Sequence, residues 1–290
     1  MKRLGVSGGT APFFSLKLCN PENGMNEMHY IGKDLSRAKD EVDFYEQLKN
    51  NEVSRDALGN LRHFLFDYLG ILKTKEEGIS DGTSVDVDEE SELDLLVIQN
   101  LHDGKEKLRL LDIKVGETTA SANWRGKSRL RAMRQQAFDR ITNSAVEGYR
   151  LEGFDGCPAS LLSRQTFLEI LSGKDGKLGK KSRRFLYQNL DGMEILQYFM
   201  DLDDGDSKSK SQTQSPAYGV DEYLEIIMHE IVKLLVQLSI LCCRVKVPQK
   251  WIGSSLAIGF DCGAIPSRSM SEEDIRKNVI VKFSIGVVRD

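Results

Sequence analysis

Leu93-Asp94-Leu95-Leu96-Val97-Ile98-Gln99-Asn100-Leu101, then His102-Asp103-Gly104-Lys105, then Leu108-Arg109-Leu110-Leu111-Asp112-Ile113-Lys114-Val115-Gly116 is the stretch that decides the fold. Two apolar runs flank a short polar break containing glycine, and the pattern reads as strand, turn, strand. Side chains two apart on a strand share a face, so Asp112 and Lys114 project together while Ile113 turns to the buried side. A carboxylate beside an ammonium at a strand end suits chemistry on a phosphorylated hydroxyl compound. The acid orients or deprotonates a hydroxyl, and the amine neutralises phosphoryl charge. An ordinary strand-end ion pair contributes little, so the weight of Asp-x-Lys-x-Gly depends on what surrounds it.

At 290 residues the chain is long enough for one large domain or two lobes. Its net charge of -4 argues against wholesale nucleic-acid binding and leaves room for local basic patches. Cys19, Cys157, Cys242, Cys243 and Cys262 show no C-x-x-C spacing, and with four histidines they form no zinc pattern. That usage suits a reducing compartment, cytoplasmic or nuclear. Met1-Lys2-Arg3-Leu4 runs straight into Gly and Ser, unlike a charged-then-apolar leader. The most apolar stretch, Ile226 to Cys243, contains His229, Glu230, Lys233 and Gln237; it is expected to be a buried helix and no membrane span.

Residues 4–31 read as strands joined by turns, with Ser7-Gly8-Gly9-Thr10 as a turn whose backbone N–H groups would suit phosphates. Tyr30-Ile31-Gly32-Lys33 is a short strand, and Glu41 to Leu48 is the body of a helix with Asp34 or Ser36 as cap. Leu61 to Leu72 is a further apolar segment, a helix end or a strand. Glu76 to Asp94 holds nine acids and no base, the composition of a solvated loop.

Beyond Gly116, the segment Trp124 to Arg150 carries seven bases (Arg125, Lys127, Arg129, Arg131, Arg134, Arg140, Arg150) against two acids. Leu130, Met133, Ala137 and Ile141 recur at helical spacing and are expected to be buried. Lys127, Arg131 and Arg134 fall at i, i+4 and i+7 as a basic stripe on another face, suited to a polyphosphate. The segment interleaves few aromatics (Trp124, Phe138, Tyr149), which ranks RNA binding last. Phe167 to Leu171 and Ser182 to Met200 read as helical, Gly173 to Lys181 as a basic loop, and Asp201 to Pro216 as a disordered, low-complexity insertion. Asp221 to Cys243 is the longest helix, lined on one face by Leu224, Ile227, Ile231, Leu234, Leu238 and Leu241.

Several of these segments, in order, resemble the inositol polyphosphate kinase family. The family carries a hinge of the Glu-Asn-Leu type and then Pro-x-x-x-Asp-x-Lys-x-Gly. Here Gln99-Asn100-Leu101 stands at the hinge, Leu108 replaces the proline, and Asp112, Lys114 and Gly116 are intact. Lys33 followed by Glu41-x-x-Phe44-Tyr45-Glu46 is similar to the family's lysine strand and helix. Thr142 to Gly153 and Trp251 to Asp261, with Ser254-Ser255-Leu256, are similar to later family segments.

The resemblance implies an α+β, two-lobed kinase-like fold with antiparallel sheets and a helical substrate-binding insertion at about 120–200. The N-lobe would span 1–100, with its acidic loop at 76–94, and the C-lobe 101–290. It implies ATP-dependent phosphorylation of a soluble inositol polyphosphate with Mg²⁺. Lys33 would hold the nucleotide phosphates, and Gln99, Asn100 and Leu101 the adenine. Asp112 would activate the hydroxyl, Lys114 would pair with phosphate, and Lys127, Arg131 and Arg134 would take the remaining phosphates. In the family the last strand ends in Ile-Asp-Phe and its aspartate holds the metal, whereas this chain's candidate strand reads Val279-Ile280-Val281-Lys282-Phe283-Ser284-Ile285-Gly286-Val287-Val288 with no acid at that place. Three readings follow: a divergent end that leaves a weak or dead kinase, metal held by Asp261 or Asp290, or a register shifted by several residues. A non-catalytic module of the same fold, binding inositol phosphates or a protein partner, is the rival reading.

Overall fold

The computed structural model describes residues 2–4, 13–19, 27–35, 39–50, 59–75, 92–119, 128–164, 186–202, 219–245, 253–263 and 270–284. The architecture is α+β, with two antiparallel sheets and accompanying helices. The chain divides into two compact units, Met1–Arg55 with Phe66–Asp103, and Asp56–Leu65 with Gly104–Asp290.

The first unit is built on β1 (Lys2–Leu4), β2 (Phe13–Cys19), β3 (Glu27–Asp34), β4 (Tyr68–Lys75) and β5 (Glu92–Gln99), in the order β1-β2-β3-β5-β4. Strand β5 lies between β3 and β4, and Leu95, Leu96, Val97 and Ile98 are all buried. A strand covered on both faces needs such an unbroken apolar run. Phe14, Leu16, Leu95 and Val97 form the core on one face. Helix α1 (Lys39–Asn50) buries Glu41, Val42, Phe44 and Tyr45, a stripe at helical spacing, and Tyr45 stacks on Tyr68 with ring centroids 5.1 Å apart. Asp34, expected as a helix cap, instead closes β3 opposite Leu95; Ser36 lies outside the described residues.

The second unit holds β6 (Leu108–Val115), β7 (Tyr149–Asp155), β8 (Ser255–Asp261) and β9 (Val279–Ser284), in the order β7-β6-β8-β9. Around it lie a 3-10 helix (Gly59–Phe64) and helices α2 (Arg129–Asp139), α3 (Ser144–Glu147), α4 (Gly192–Met200), α5 (Val220–Arg244) and α6 (Glu272–Lys277). The two strands of the opening stretch do not pair: β5 belongs to one sheet and β6 to the other. An alternating pattern fixes which side chains face inward but does not choose a strand's partner. The core joins Leu111, Leu151, Ile258 and Phe260 of the sheet to Phe199 of α4, Tyr223, Ile227 and Ile231 of α5 and Ile275 of α6.

Two expectations about helices are corrected. Leu130, Met133 and Ile141 are 60%, 57% and 61% exposed, and Ala137 is exposed as well. The face of α2 that packs inward is Ala132, Gln135 and Asp139, at i, i+3 and i+7. It is held by polar bonds, because Asp139 accepts from Thr119 N at 2.8 Å and from Gln135 at 3.2 Å. Helix α5 is not buried all round: Tyr223, Ile227, Glu230, Ile231 and Leu238 face the core while Val232, Val236 and Ile240 are exposed. By length and composition it is apolar enough to cross a membrane, yet its buried Glu230 is paired with Arg276 of α6 at 2.9 Å. The turn at 7–10, residues 76–91, the segments 167–171 and 173–181, and residues 203–216 fall outside the described residues.

Candidate functional site

In the second unit, strand register builds a polar face. Leu111 lies opposite Ile258 and Ile113 opposite Leu256, and all four belong to the core side. The alternate residues point the other way. Asp112 lies opposite Ala257, which lies opposite Lys282; Lys114 lies opposite Ser255, which lies opposite Ser284. Directly paired residues share a face, so two rows, Asp112–Ala257–Lys282 and Lys114–Ser255–Ser284, run across β6, β8 and β9. Asp112, Lys114, Ser255 and Lys282 are all half-buried. Lys114 Nζ donates to Ser255 Oγ at 3.0 Å, and Lys282 Nζ donates to the Leu65 carbonyl at 2.9 Å. Small residues on β8 (Ser255, Ala257, Gly259) keep the middle of the face shallow.

The glycine of Asp-x-Lys-x-Gly has a structural reason. Gly116 has φ +107°, open to glycine at little steric cost, and its N–H donates to Gly148 O at 2.7 Å. The chain thereby leaves the sheet two residues after Lys114. On the other flank Lys114 lies opposite Arg150, the last of the seven bases in the segment Trp124 to Arg150. Arg150 is 1% exposed. It donates to Asp139 at 2.6 Å, Glu152 at 2.8 Å, Ser144 at 2.9 Å and Thr119 at 3.2 Å. Its charge is neutralised locally, so it braces the flank of the polar face. Of the expected phosphate stripe, Arg134 is exposed on α2, the side chain of Arg131 is not described, and Lys127 lies outside the described residues.

In the first unit, Lys33 on β3 forms an ion pair with Glu41 of α1, and the glutamate is 4% exposed. A strand lysine held by a helix glutamate is the arrangement by which kinases fix a phosphate-binding lysine. Glu41 is a partner that sequence reading placed only in the helix body. Gln99 follows a different parity. Lys33 lies opposite Leu96, and Gln99 is three residues on, so their side chains take opposite faces of the sheet. The Gln99 side-chain oxygen is buried without a hydrogen-bond partner, while its backbone N–H donates to Asp67 O at 2.9 Å. Asn100 closes the turn by accepting from His102 N at 3.1 Å, and Leu101 is buried. Held by Glu41, the Lys33 ammonium is the group here with the charge and donors that suit nucleotide phosphates.

The metal is a different matter. Asp261 is almost fully buried and its carboxylate accepts the N–H groups of Lys107 at 2.9 Å, Glu106 at 3.0 Å and Gly263 at 3.1 Å. Burial alone would raise its pKa, but those three donors and the Lys105 charge hold it below the ordinary aspartate range. This carboxylate organises the turn before β6. Asp290 lies outside the described residues. Among the described residues no cluster of three or more His, Cys, Asp or Glu side chains comes together, and the row beginning at Asp112 ends in a lysine. Hard divalent cations take several oxygen ligands, and among the described residues no all-protein cage of that kind is formed.

An α+β protein with an acid, an amine and a hydroxyl on one strand-built face is the class that these features define. Among solved structures the chain is similar to the inositol phosphate multikinase Ipk2 of S. cerevisiae, in complex with ADP and Mn²⁺. The TM-score is 0.48 at 15% identity, over 82% of this chain and 83% of that one. A second inositol phosphate multikinase structure gives a TM-score of 0.42 at 16% identity, over 83% and 84%. No family model and no curated protein matches the chain.

Proposed function

We propose that this chain is an ATP-dependent kinase that phosphorylates a hydroxyl of a soluble inositol polyphosphate inside the cell. The observation that carries the reading is that Asp112 and Lys114 share a half-buried face of β6 with Ser255, turned away from the hydrocarbon core. Asp112 orients the attacking hydroxyl and accepts its proton. Lys114, steadied by Ser255, neutralises charge on phosphate, and Arg134 adds a cation on α2. Lys33, fixed by Glu41, would hold the nucleotide phosphates, and the backbone of Gln99 to Leu101 the adenine; the nucleotide supplies the phosphoryl group.

Positioned acid–base groups are worth about 10²–10⁴ in rate. Asp112→Asn is therefore expected to lower kcat by about that factor while ATP affinity stays within about twofold, measured by radiolabel transfer and nucleotide titration. Full activity in Asp112→Asn would remove the assignment. A second reading, a module of the same fold that binds inositol phosphates without transfer, is favoured by Lys282 at the place of the expected metal ligand. Ligand-induced rise in melting temperature without ATP turnover would select it.

A further inference from the structure

Lys282 is the feature of the polar face that the proposed chemistry leaves unused. It stands directly across Ala257 from Asp112. Adjacent strands are about 4.8 Å apart, so its backbone lies roughly 10 Å from that of Asp112 across β8. The residue between them has only a methyl side chain, and next to it along β8 lie Ser255 and Gly259 on the same face. The trough so formed is flanked by Asp112 and Lys114 on β6 and by Lys282 on β9. Lys282 is anchored at a defined place, because its Nζ donates to the carbonyl of Leu65 at 2.9 Å. Leu65 is itself buried and forms a parallel bridge with Phe283, the next residue on β9. An ammonium tethered to a buried backbone carbonyl is a positioned charge. With Lys114 it gives the two rows two cations against the one carboxylate of Asp112, and the hydroxyls of Ser255 and Ser284 lie beside them.

We propose that Lys282 takes the part of a metal on this face: its ammonium binds a phosphate group of the polyphosphate, and phosphate recognition here needs no divalent cation. The inference rests on the inositol-phosphate reading above and goes beyond it in naming both the residue and the charge that does the work. Two observations support it. The row that begins at Asp112 continues with Ala257 and Lys282 and holds no second carboxylate, and Asp261, the acid at the end of β8, accepts three backbone N–H groups. A point cation opposite a carboxylate repels a divalent ion and attracts a phosphomonoester.

Calorimetric titration of inositol trisphosphate and inositol hexakisphosphate into the full chain, in EDTA and separately in Mg²⁺, tests this. The wild-type Kd for inositol trisphosphate is expected to agree within about twofold between the two buffers. Losing a charge-assisted bond costs about tenfold or more in affinity, so Lys282→Met, which keeps the apolar stem, should weaken binding by about that factor in EDTA. Lys282→Arg should retain most of it, and Lys282→Asp should bind only when Mg²⁺ is present. Wild-type binding that requires Mg²⁺, or an unchanged Kd in Lys282→Met, overturns the inference and leaves the inositol-phosphate reading standing. Absence of any inositol phosphate binding in either buffer overturns both. The wild-type comparison needs no variant to fold.

Discussion

Arg150 is a buried charge of the second unit, 1% exposed. Its guanidinium is enclosed with the carboxylates of Asp139 and Glu152 and with the hydroxyls of Ser144 and Thr119. Removing one member of such a buried set leaves charges without compensation, at a cost of about 3–5 kcal/mol. Arg150→Leu is therefore expected to lower the urea midpoint by that equivalent, and a loss below about 1 kcal/mol would show that the network carries little. Asp261 makes a pH-dependent contribution. Its folded carboxyl is depressed by backbone donors, so its stabilisation is fully present above the unfolded value of about 3.9 and is lost as pH falls through the folded value. In Asp261→Asn the fall in stability below about pH 4 should be shallower than in the parent chain, read by denaturant unfolding across that range.

Elements differ in how they tolerate a methyl group. Gly259 on β8 approaches β6 so closely that an added Cβ would lie 2.5 Å from Arg109 O, and backbone would have to move. At Gly32 on β3 the nearest atoms, at 2.9 and 3.0 Å, are the methyl tips of Leu95 and Leu16. Overpacking costs about 1–3 kcal/mol and more where neighbours are rigid. Gly259→Ala should destabilise by more than Gly32→Ala, as ranked by unfolding midpoints. Helix α2 gives the converse test. Leu130 and Met133 look like core residues on a helical wheel but lie in solvent. Leu130→Ser is expected to change stability by less than about 0.5 kcal/mol, whereas loss of Asp139 on the inward face should be severe.

At the scale of the whole molecule, the second unit takes in a short piece of the N-terminal half. Residues 56–65 belong with residues 104–290, through Leu61 and Phe64 of the 3-10 helix and through Leu65, all buried. Leu65 also supplies the carbonyl that positions Lys282. Large-to-small changes at such sites cost about 2–5 kcal/mol. Leu61→Ala should destabilise the unit by an amount in that range, and a fragment beginning at Gly104 should melt at a lower temperature than the intact chain. A fragment with unchanged melting would mean that the borrowed segment contributes nothing.

What the amino-acid order determined is local. Alternation on β6 put Asp112 and Lys114 on one face and Ile113 on the other, the unbroken apolar run of β5 marked a strand covered on both sides, and helical spacing located α1 and α5. These follow from the periods of strand and helix, which act over a few residues. Other features became visible only in three dimensions. They are the separation of β5 and β6 into different sheets, the inward turn of the polar face of α2, the burial of Arg150, the Lys33–Glu41 pair, and the row that sets Lys282 across from Asp112. Each depends on residues far apart in the chain. Partner choice between strands and the satisfaction of buried charge are settled by tertiary packing, and no local pattern encodes them.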